Sequence, residues 1–154
     1  YYHDKFLNIK ISDYEVNKLA NKFSSIVFEK VCNSEFISGA SEFLIYASKK
    51  YKTFICTGTP EKEIIPIVNR IDIDFLFDDI YGSPNSKTII INKILTKYNL
   101  NSNDVLFIGD AMTDYNAAKE TNLQFVGIRN KETSFPKETI IVDDLMQIIN
   151  LFNL

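Results

Sequence analysis

Histidine and cysteine, the residues behind many catalytic and zinc sites, are scarce in this chain. Its 154 residues include one histidine, His3, and two cysteines, Cys32 and Cys56. A histidine-based triad or zinc site would depend on His3 at the chain start, where chains tend to fray, so we discount both. The cysteines show no C-x-x-C spacing, and Cys56 lies in an apolar run. This placement favours a buried free thiol over a disulfide or a metal ligand.

Long apolar runs and blocks of like charge are also missing. No stretch approaches about 18 uninterrupted apolar residues, the length that a membrane span needs. The net charge is −3 and lysines alternate with acidic residues, so we expect neither a nucleic acid nor a membrane as partner. Residues 1–5 resemble no signal peptide. Unpaired cysteines without an export signal favour a cytoplasmic location, and the missing initial methionine suggests a fragment.

What remains is the composition of a globular protein, 45% hydrophobic and 24% charged. Residues 1–35 favour helix, because apolar residues recur at helical spacing from Tyr14 onward and predict one buried face. In the rest of the chain, short apolar strands alternate with helices. That alternation predicts right-handed crossovers and a parallel sheet with flanking helices, an α/β fold of the Rossmann-like kind. We expect a helical part over 1–35 and an α/β core over 36–154.

The pattern is regular enough to place individual elements. Predicted strands cover 51–56, 75–77, 105–108 and 124–128, with 140–142 as a candidate fifth. Predicted helices cover 14–31, 41–50, a segment opened by Pro60, 86–98, 114–121 and 143–153. The region between 130 and 142 has little periodicity and is the least defined part of the pattern.

Polar residues follow the predicted strands at the edge where parallel sheets bind ligands. Thr57 and Gly58 follow the first strand, and Lys87 opens the helix after the second. Asp110 follows the third strand, with Asp114 four residues further on. Singly, Lys87 is an ordinary solvated lysine in the first turn of a helix, and Thr57, Asp110 and Asp114 are ordinary cap or turn residues. Together, two carboxylates at a cleft repel unless a cation lies between them, and oxygen ligands suit Mg²⁺.

The order and spacing of these residues resemble the second, third and fourth motifs of the haloacid dehalogenase-like (HAD-like) superfamily. The matching pieces are four apolar residues before Thr57, the lysine of G-S-P-N-S-K at 82–87, and G-D-A-M-T-D at 109–114. The G-S-P-x-x-K wording is typical of the phosphoglycolate phosphatase and β-phosphoglucomutase-like branch. The resemblance runs from about residue 36 to 128.

Residues 36–40 resemble the hinge where the helical cap of this family returns to the core, with Ser38 in place of the usual proline. We expect this substitution to loosen the turn. Residues 1–35 then correspond to the last part of a helical cap.

The resemblance implies a role for each polar residue. Thr57 and the Gly58 N–H would bind the transferred phosphoryl group, and Lys87 would neutralise it and the nucleophile. Asp110 would hold Mg²⁺, while Asp114 would orient Lys87 or a metal-bound water. On this reading Thr57, Lys87 and Asp114 are catalytic, Asp110 and Asp114 belong to the metal site, and the substrate is a small phosphorylated metabolite. Phosphoryl transfer needs in-line positioning and positive charge over the phosphate oxygens.

The first motif of the family, an Asp-x-Asp pair on an early strand, has no counterpart. The only such pair, Asp72-Ile73-Asp74, continues a helix and follows Thr57 instead of preceding it. We therefore expect the central, nucleophile-bearing strand to be absent and the chain to be inactive alone. Its neighbours would expose edges whose unpaired backbone groups each cost about 1–3 kcal/mol. We predict that the strands ending at Thr57 and Asp110 pair directly, or that a homodimer partner or a separate segment supplies the missing strand.

Two function classes stay open. The first is a truncated Mg²⁺-dependent phosphatase that hydrolyses a phosphomonoester through an aspartyl-phosphate. The second is a non-catalytic descendant that uses the same fold for binding or assembly. A response-regulator-like domain with Asp110 as phosphoacceptor would need an acidic pair after an earlier strand, which the sequence lacks.

Overall fold

The computed structural model describes residues 12–154, so His3 lies outside the described residues. Contacts divide the chain into two compact units, 1–34 and 35–154. No helix in the described part of the chain is long and apolar enough to cross a membrane.

The described part of the first unit is one long helix, α1 (Asp13–Cys32). Ser12 is its N-cap and forms a capping box: its side chain accepts the Glu15 N–H at 3.3 Å, and the Glu15 carboxylate accepts the Ser12 N–H at 2.8 Å. The helix confirms the predicted periodicity, but the expected buried face is wrong for the described residues. No residue of α1 is buried, and Phe23 is 69% exposed.

The second unit alternates helices and strands. Its helices are α2 (Ala40–Lys50), α3 (Glu61–Arg70), α4 (Lys87–Tyr98), α5 (Met112–Glu120) and α6 (Gln147–Phe152), with 3₁₀ turns at Asp74–Leu76 and Ser102–Asp104. Its strands are β1 (Phe54–Pro60), β2 (Asp79–Ser83), β3 (Leu106–Gly109), β4 (Gln124–Ile128) and β5 (Ile140–Val142). All pairings among them are parallel, β1 with β2 and β3 with β4 with β5, which confirms the predicted α/β fold.

Helices cover both faces of the three-stranded sheet. On one face, Val126 and Val142 pack with apolar residues of α2 and α6, and on the other, Ala117 and Ala118 of α5 pack beneath β3. Val126 and Ile148 are fully buried. Two-sided burial explains why these strands are short and almost wholly apolar.

The second strand lies later in the chain than predicted. Phe75-Leu76-Phe77 looked like a strand because it is a continuous apolar run, but it forms a 3₁₀ turn that buries only Leu76 and leaves Phe75 72% exposed. The strand itself is β2, in which Ile80 and Tyr81 pair with β1. The sequence does not predict this strand because it begins with Asp79, directly after Asp78, and charged residues are uncommon in buried strands.

Direct pairing of the strands that carry Thr57 and lead to Asp110 was one of the two predicted arrangements, and it is wrong for the described residues. Within residues 12–154, β1 pairs only with β2, and β3 pairs only with β4, so each is an edge of its own sheet. The two edges nevertheless belong to one packed body. Cys56 of β1 and Phe107 of β3 both contact the cluster built around α4 and α5. The α/β core therefore has two separate parallel sheets that pack against the same pair of helices, α4 and α5.

Candidate active site

A buried ion pair lies between the beginning of α4 and the beginning of α5. Ser86 caps α4 by accepting the Ile89 N–H at 3.3 Å, which fixes Lys87 in the first turn. The Lys87 Nζ then lies 2.5 Å from Asp114 Oδ1, with side chains only 18% and 7% exposed. The positive charge of Lys87 is repelled by the dipole of α4, whose N-terminus is also positive. The charge-assisted hydrogen bond to the Asp114 carboxylate offsets this repulsion.

Asp114 is fixed from two further directions. Its Oδ2 accepts the Ala111 N–H at 3.1 Å, so one oxygen holds the backbone at the start of α5 while the other holds Lys87. A Cβ on Gly109 would lie 2.4 Å from the Asp114 Cβ, so only glycine at 109 lets the carboxylate fold back under β3. Both Asp114 oxygens are engaged, which favours the orienting role for this residue over the metal-binding one.

Asp110 differs from Asp114 in being exposed at the carboxyl end of β3. Its contacts come from Asn130, whose Nδ2 donates to the Asp110 carbonyl at 2.6 Å and approaches Oδ2 at 3.4 Å. Among the described residues no hydrogen bond engages Asp110 Oδ1. The site thus has one Asp110 carboxylate oxygen with no hydrogen-bond partner among the described residues, beside the Lys87–Asp114 ion pair.

Thr57 and Gly58 lie within β1, where the pairing register with β2 shifts between Cys56 and Pro60. The Thr57 hydroxyl accepts the Thr59 N–H at 3.2 Å, a local contact made within this irregular part of the strand. Gly58 is exposed, and a Cβ there would meet no atom within 4 Å. This part of β1 approaches β2 so closely that a Cβ on Gly82 would lie 2.3 Å from the Thr59 carbonyl oxygen. Gly82, which the sequence presents only as the start of a motif, therefore permits the close approach of the two strands beside Thr57.

Cys56 connects β1 to the ion pair. Its Sγ lies 3.8 Å from the Lys87 carbonyl oxygen. Burial raises the pKa of the Cys56 thiol to about 11, with nearby Lys87 lowering it and Asp114 raising it further. The thiol is therefore neutral near pH 7, in line with the predicted free cysteine. The residue preceding Thr57 thus touches the helix that begins at Lys87.

The Asp72-Ile73-Asp74 segment lies elsewhere. It follows α3 and leads into the amino-terminal end of β2, whereas Thr57 is in the carboxyl-terminal half of the parallel strand β1. Asp72 has a φ of 56°, as turn residues of this type often do. These carboxylates therefore take no part in the candidate site.

The carboxylate oxygens of the candidate site are ligands of the kind that Mg²⁺ prefers, but they are few. In residues 12–154 no three or more His, Cys, Asp or Glu side chains are grouped so as to hold a metal. Mg²⁺ is usually held by only one or two protein carboxylates and keeps several waters. Asp110, with its exposed carboxylate, fits one such ligand.

Comparison with known proteins agrees with this geometry. A family model described as haloacid dehalogenase-like hydrolase matches residues 3–128, most of the chain. The chain belongs to this family. The resemblance read from Thr57, Lys87 and the 109–114 segment is thereby confirmed at the level of the family.

Individual relatives are more distant. A phosphoglycolate phosphatase of Pasteurella multocida is 24% identical over 153 residues, covering 92% of this chain and 68% of the relative. Three further phosphoglycolate phosphatases match over 56% of their own length. The chain thus spans between about half and two thirds of the curated relatives it matches.

Solved structures share the fold. A predicted phosphoglycolate phosphatase from Haemophilus somnus superposes with a TM-score of 0.81 at 22% identity, covering 97% of this chain and 72% of that one. The Bacillus subtilis protein YfnB, described as a HAD hydrolase and solved with bound magnesium, has a TM-score of 0.75 at 15% identity, covering 90% of this chain and 63% of that one.

Proposed function

We propose that the protein containing this chain is a Mg²⁺-dependent phosphatase that hydrolyses a small phosphorylated metabolite. The observation that carries the proposal is the Lys87–Asp114 pair, which joins the beginnings of α4 and α5, with the Lys87 carbonyl oxygen 3.8 Å from Cys56 Sγ in the strand that carries Thr57. Membership of a hydrolase family, together with the similarity to curated phosphoglycolate phosphatases, supports hydrolysis of a phosphate ester as the reaction. Phosphoglycolate is accordingly the first substrate to test.

The proposed roles follow from what each side chain can donate. The Lys87 ammonium has three donors; Asp114 accepts one at 2.5 Å and the Thr113 hydroxyl accepts another at 3.4 Å, so one remains available to a phosphate oxygen. The Gly58 N–H is a further donor in β1, and the Thr57 hydroxyl would become one by exchanging its 3.3 Å hydrogen bond to the Thr59 Oγ1 for a phosphate oxygen. Asp114 would act through Lys87, holding the ammonium in place so that little reorganisation accompanies the reaction.

Asp110 is the proposed Mg²⁺ ligand of this chain, through its exposed carboxylate. A bound Mg²⁺ would supply positive charge against the phosphate oxygens. The magnesium in the structure of YfnB supports the choice of metal for this fold. Asp114, which the sequence also assigned to the metal, is better placed to orient Lys87 because both of its oxygens are engaged.

The nucleophile is proposed to come from a strand that inserts between β1 and β3. Both strands are sheet edges within residues 12–154, and both pack on the same helices, so one parallel strand could satisfy two rows of backbone groups. An Asp-x-Asp pair at the end of that strand would stand beside Thr57 and Asp110, the two ends that flank it. An upstream segment of the same protein would supply it, either within one copy or exchanged between two copies. The unpaired cysteines favour the cytoplasm as the location.

The proposal is tested by phosphatase activity with and without that strand. The 154-residue chain, assayed with p-nitrophenyl phosphate, phosphoglycolate and Mg²⁺, should show no turnover. The protein extended upstream in its gene should be active, and an Asp→Asn change at the first aspartate of the added pair should abolish that activity. An extended protein that folds and binds phosphate without turnover would instead support the non-catalytic alternative.

A further inference from the structure

The segment between β4 and β5, the least regular part of the sequence pattern, carries a side chain that reaches the candidate site. Asn130 lies two residues after β4 and twenty residues after Asp110. Its Nδ2 donates to the Asp110 carbonyl at 2.6 Å and approaches the Oδ2 of the same residue at 3.4 Å. One amide thus contacts both the backbone and the carboxylate of the proposed metal ligand.

The other half of the Asn130 amide organises its own loop. Its Oδ1 accepts the N–H groups of Glu132 at 2.9 Å and Thr133 at 2.7 Å. An Asn amide has two donor hydrogens and one acceptor oxygen with two lone pairs, and all four are used here. Because the oxygen must face the two backbone N–H groups, the nitrogen must face Asp110, so the orientation is determined by the loop.

A second anchor holds the same loop to the sheet. The Phe135 ring lies over Gly127 of β4, where a Cβ would come within 2.8 Å of a ring carbon. The ring also packs against Phe125 and Tyr115, with centroid distances of 5.5 and 6.4 Å. Phe135 ties the loop to the body of the sheet, and Asn130 ties it to the end of β3.

We propose that Asn130 is a positioning residue that holds the Asp110 carboxylate for a divalent cation. The inference rests on the proposed function, because it takes Asp110 as a Mg²⁺ ligand. Asn130 engages Oδ2 and leaves Oδ1 open, which orients the carboxylate without occupying it. An aspartate at 130 could not do the same, since it has no donor hydrogen and would place a second negative charge against Asp110. Removing a residue that hydrogen-bonds a metal ligand typically changes metal affinity by about 10–100-fold.

The test is Mn²⁺ binding to the 154-residue chain, followed by paramagnetic broadening of assigned amide resonances. Mn²⁺ replaces Mg²⁺ because it takes the same octahedral oxygen ligands. We expect the amides of residues 109–111 to broaden first, and Asp110→Asn to abolish that broadening. Asn130→Ala removes every Asn130 contact. Asn130→Ser keeps a short oxygen that can accept from the loop amides but cannot reach Asp110. Asn92→Ala, at an exposed position of α4, is the matched control.

The expected result is that both Asn130 variants need about tenfold more Mn²⁺ for half-broadening, while Asn92→Ala matches the wild type. Wild-type affinity in Asn130→Ser with weaker binding in Asn130→Ala would assign Asn130 to loop capping alone and overturn the inference. So would unchanged affinity in both, or loss of the native spectrum in both. Absent or Asp110-independent broadening in the wild type would remove the metal assignment and the inference with it, but would leave the phosphate role of Lys87 standing.

Discussion

Replacing Lys87 by methionine should reveal how much the buried ion pair contributes to stability. Methionine keeps most of the apolar stem but leaves the Asp114 carboxylate, 7% exposed, without its cation. Removing one partner of a buried pair costs about 3–5 kcal/mol. The Lys87 side chain is 18% exposed, so water can partly replace the ammonium and we expect the lower end, about 3 kcal/mol. That is a large share of the ~5–15 kcal/mol that stabilises a typical domain.

The assay is equilibrium unfolding in urea, monitored by circular dichroism. With a slope of about 1–3 kcal/mol per molar urea, the midpoint should fall by about 1–3 M. Arg129→Met is the matched control, because the Arg129–Asp143 pair has side chains 59% and 65% exposed and should contribute less than about 1 kcal/mol. Adding Asp114→Asn to Lys87→Met should recover part of the loss by removing the unpaired charge. Equal shifts for Lys87→Met and Arg129→Met would refute the reasoning.

Three further perturbations separate local effects. Gly82→Ala should lower the free energy of unfolding by about 1–3 kcal/mol, because the added Cβ would meet backbone atoms of β1. Gly58→Ala, whose Cβ would face open space, should leave the urea midpoint unchanged. Equal midpoints for the two variants would contradict the close approach of the two strands. Hydrogen bonding from Lys97, then from two tyrosines, lowers the pKa of Asp79 to about 2. Because the pKa of Asp79 is lower in the folded than in the unfolded protein, its ionised form stabilises the fold above about pH 4, and this stabilisation is lost as the pH falls to about 2. The difference in unfolding free energy between wild type and Asp79→Asn should therefore shrink between about pH 4 and pH 2. A difference that stays constant over this range would show that ionised Asp79 is not the source. At pH 8 iodoacetamide should alkylate Cys56 slowly in the folded protein and rapidly in urea, as read by mass spectrometry; fast labelling of the folded protein would contradict its burial.

Much of the fold was predictable because the local spacing of apolar residues differs between helices and strands. The helices at 13–32 and 87–98 and the strands at 106–109 and 124–128 are all close to their predicted positions. Apolar spacing sets these elements directly, since a buried face must repeat with the period of the helix or strand. The second strand was misplaced because periodicity cannot separate a short apolar run in a turn from one in a strand.

The arrangement of the sheet was harder to predict. Backbone edges at β1 and β3 are costly, and from that cost we expected the two strands either to pair directly or to receive a strand from elsewhere. In the described residues no backbone pairing joins them, and both are held by side-chain packing against the cluster of α4 and α5. The cost of unpaired edges could be estimated from the sequence, but the distance that helix packing sets between the two strands could not.

The candidate site divides in the same way. Residues that stand at strand ends, such as Thr57 and Asp110, were found from position and motif order. The Lys87–Asp114 contact followed from the family resemblance, since 27 residues separate the two side chains. Asn130 was missed because its partner is 20 residues away and its loop has no period. An asparagine just after a buried strand was the only signal, and it fits an ordinary turn equally well.

The central claim is that the carboxyl edge of this sheet is a phosphate site organised around Lys87. Its most direct test is the initial rate of p-nitrophenyl phosphate hydrolysis by the upstream-extended protein, measured with Mg²⁺ for wild type, Lys87→Met and Lys49→Met at an exposed position of α2. We predict that Lys87→Met, shown to be folded under the assay conditions, loses at least about a hundredfold in rate while Lys49→Met keeps it. A folded Lys87→Met enzyme that retains the wild-type rate would contradict the claim.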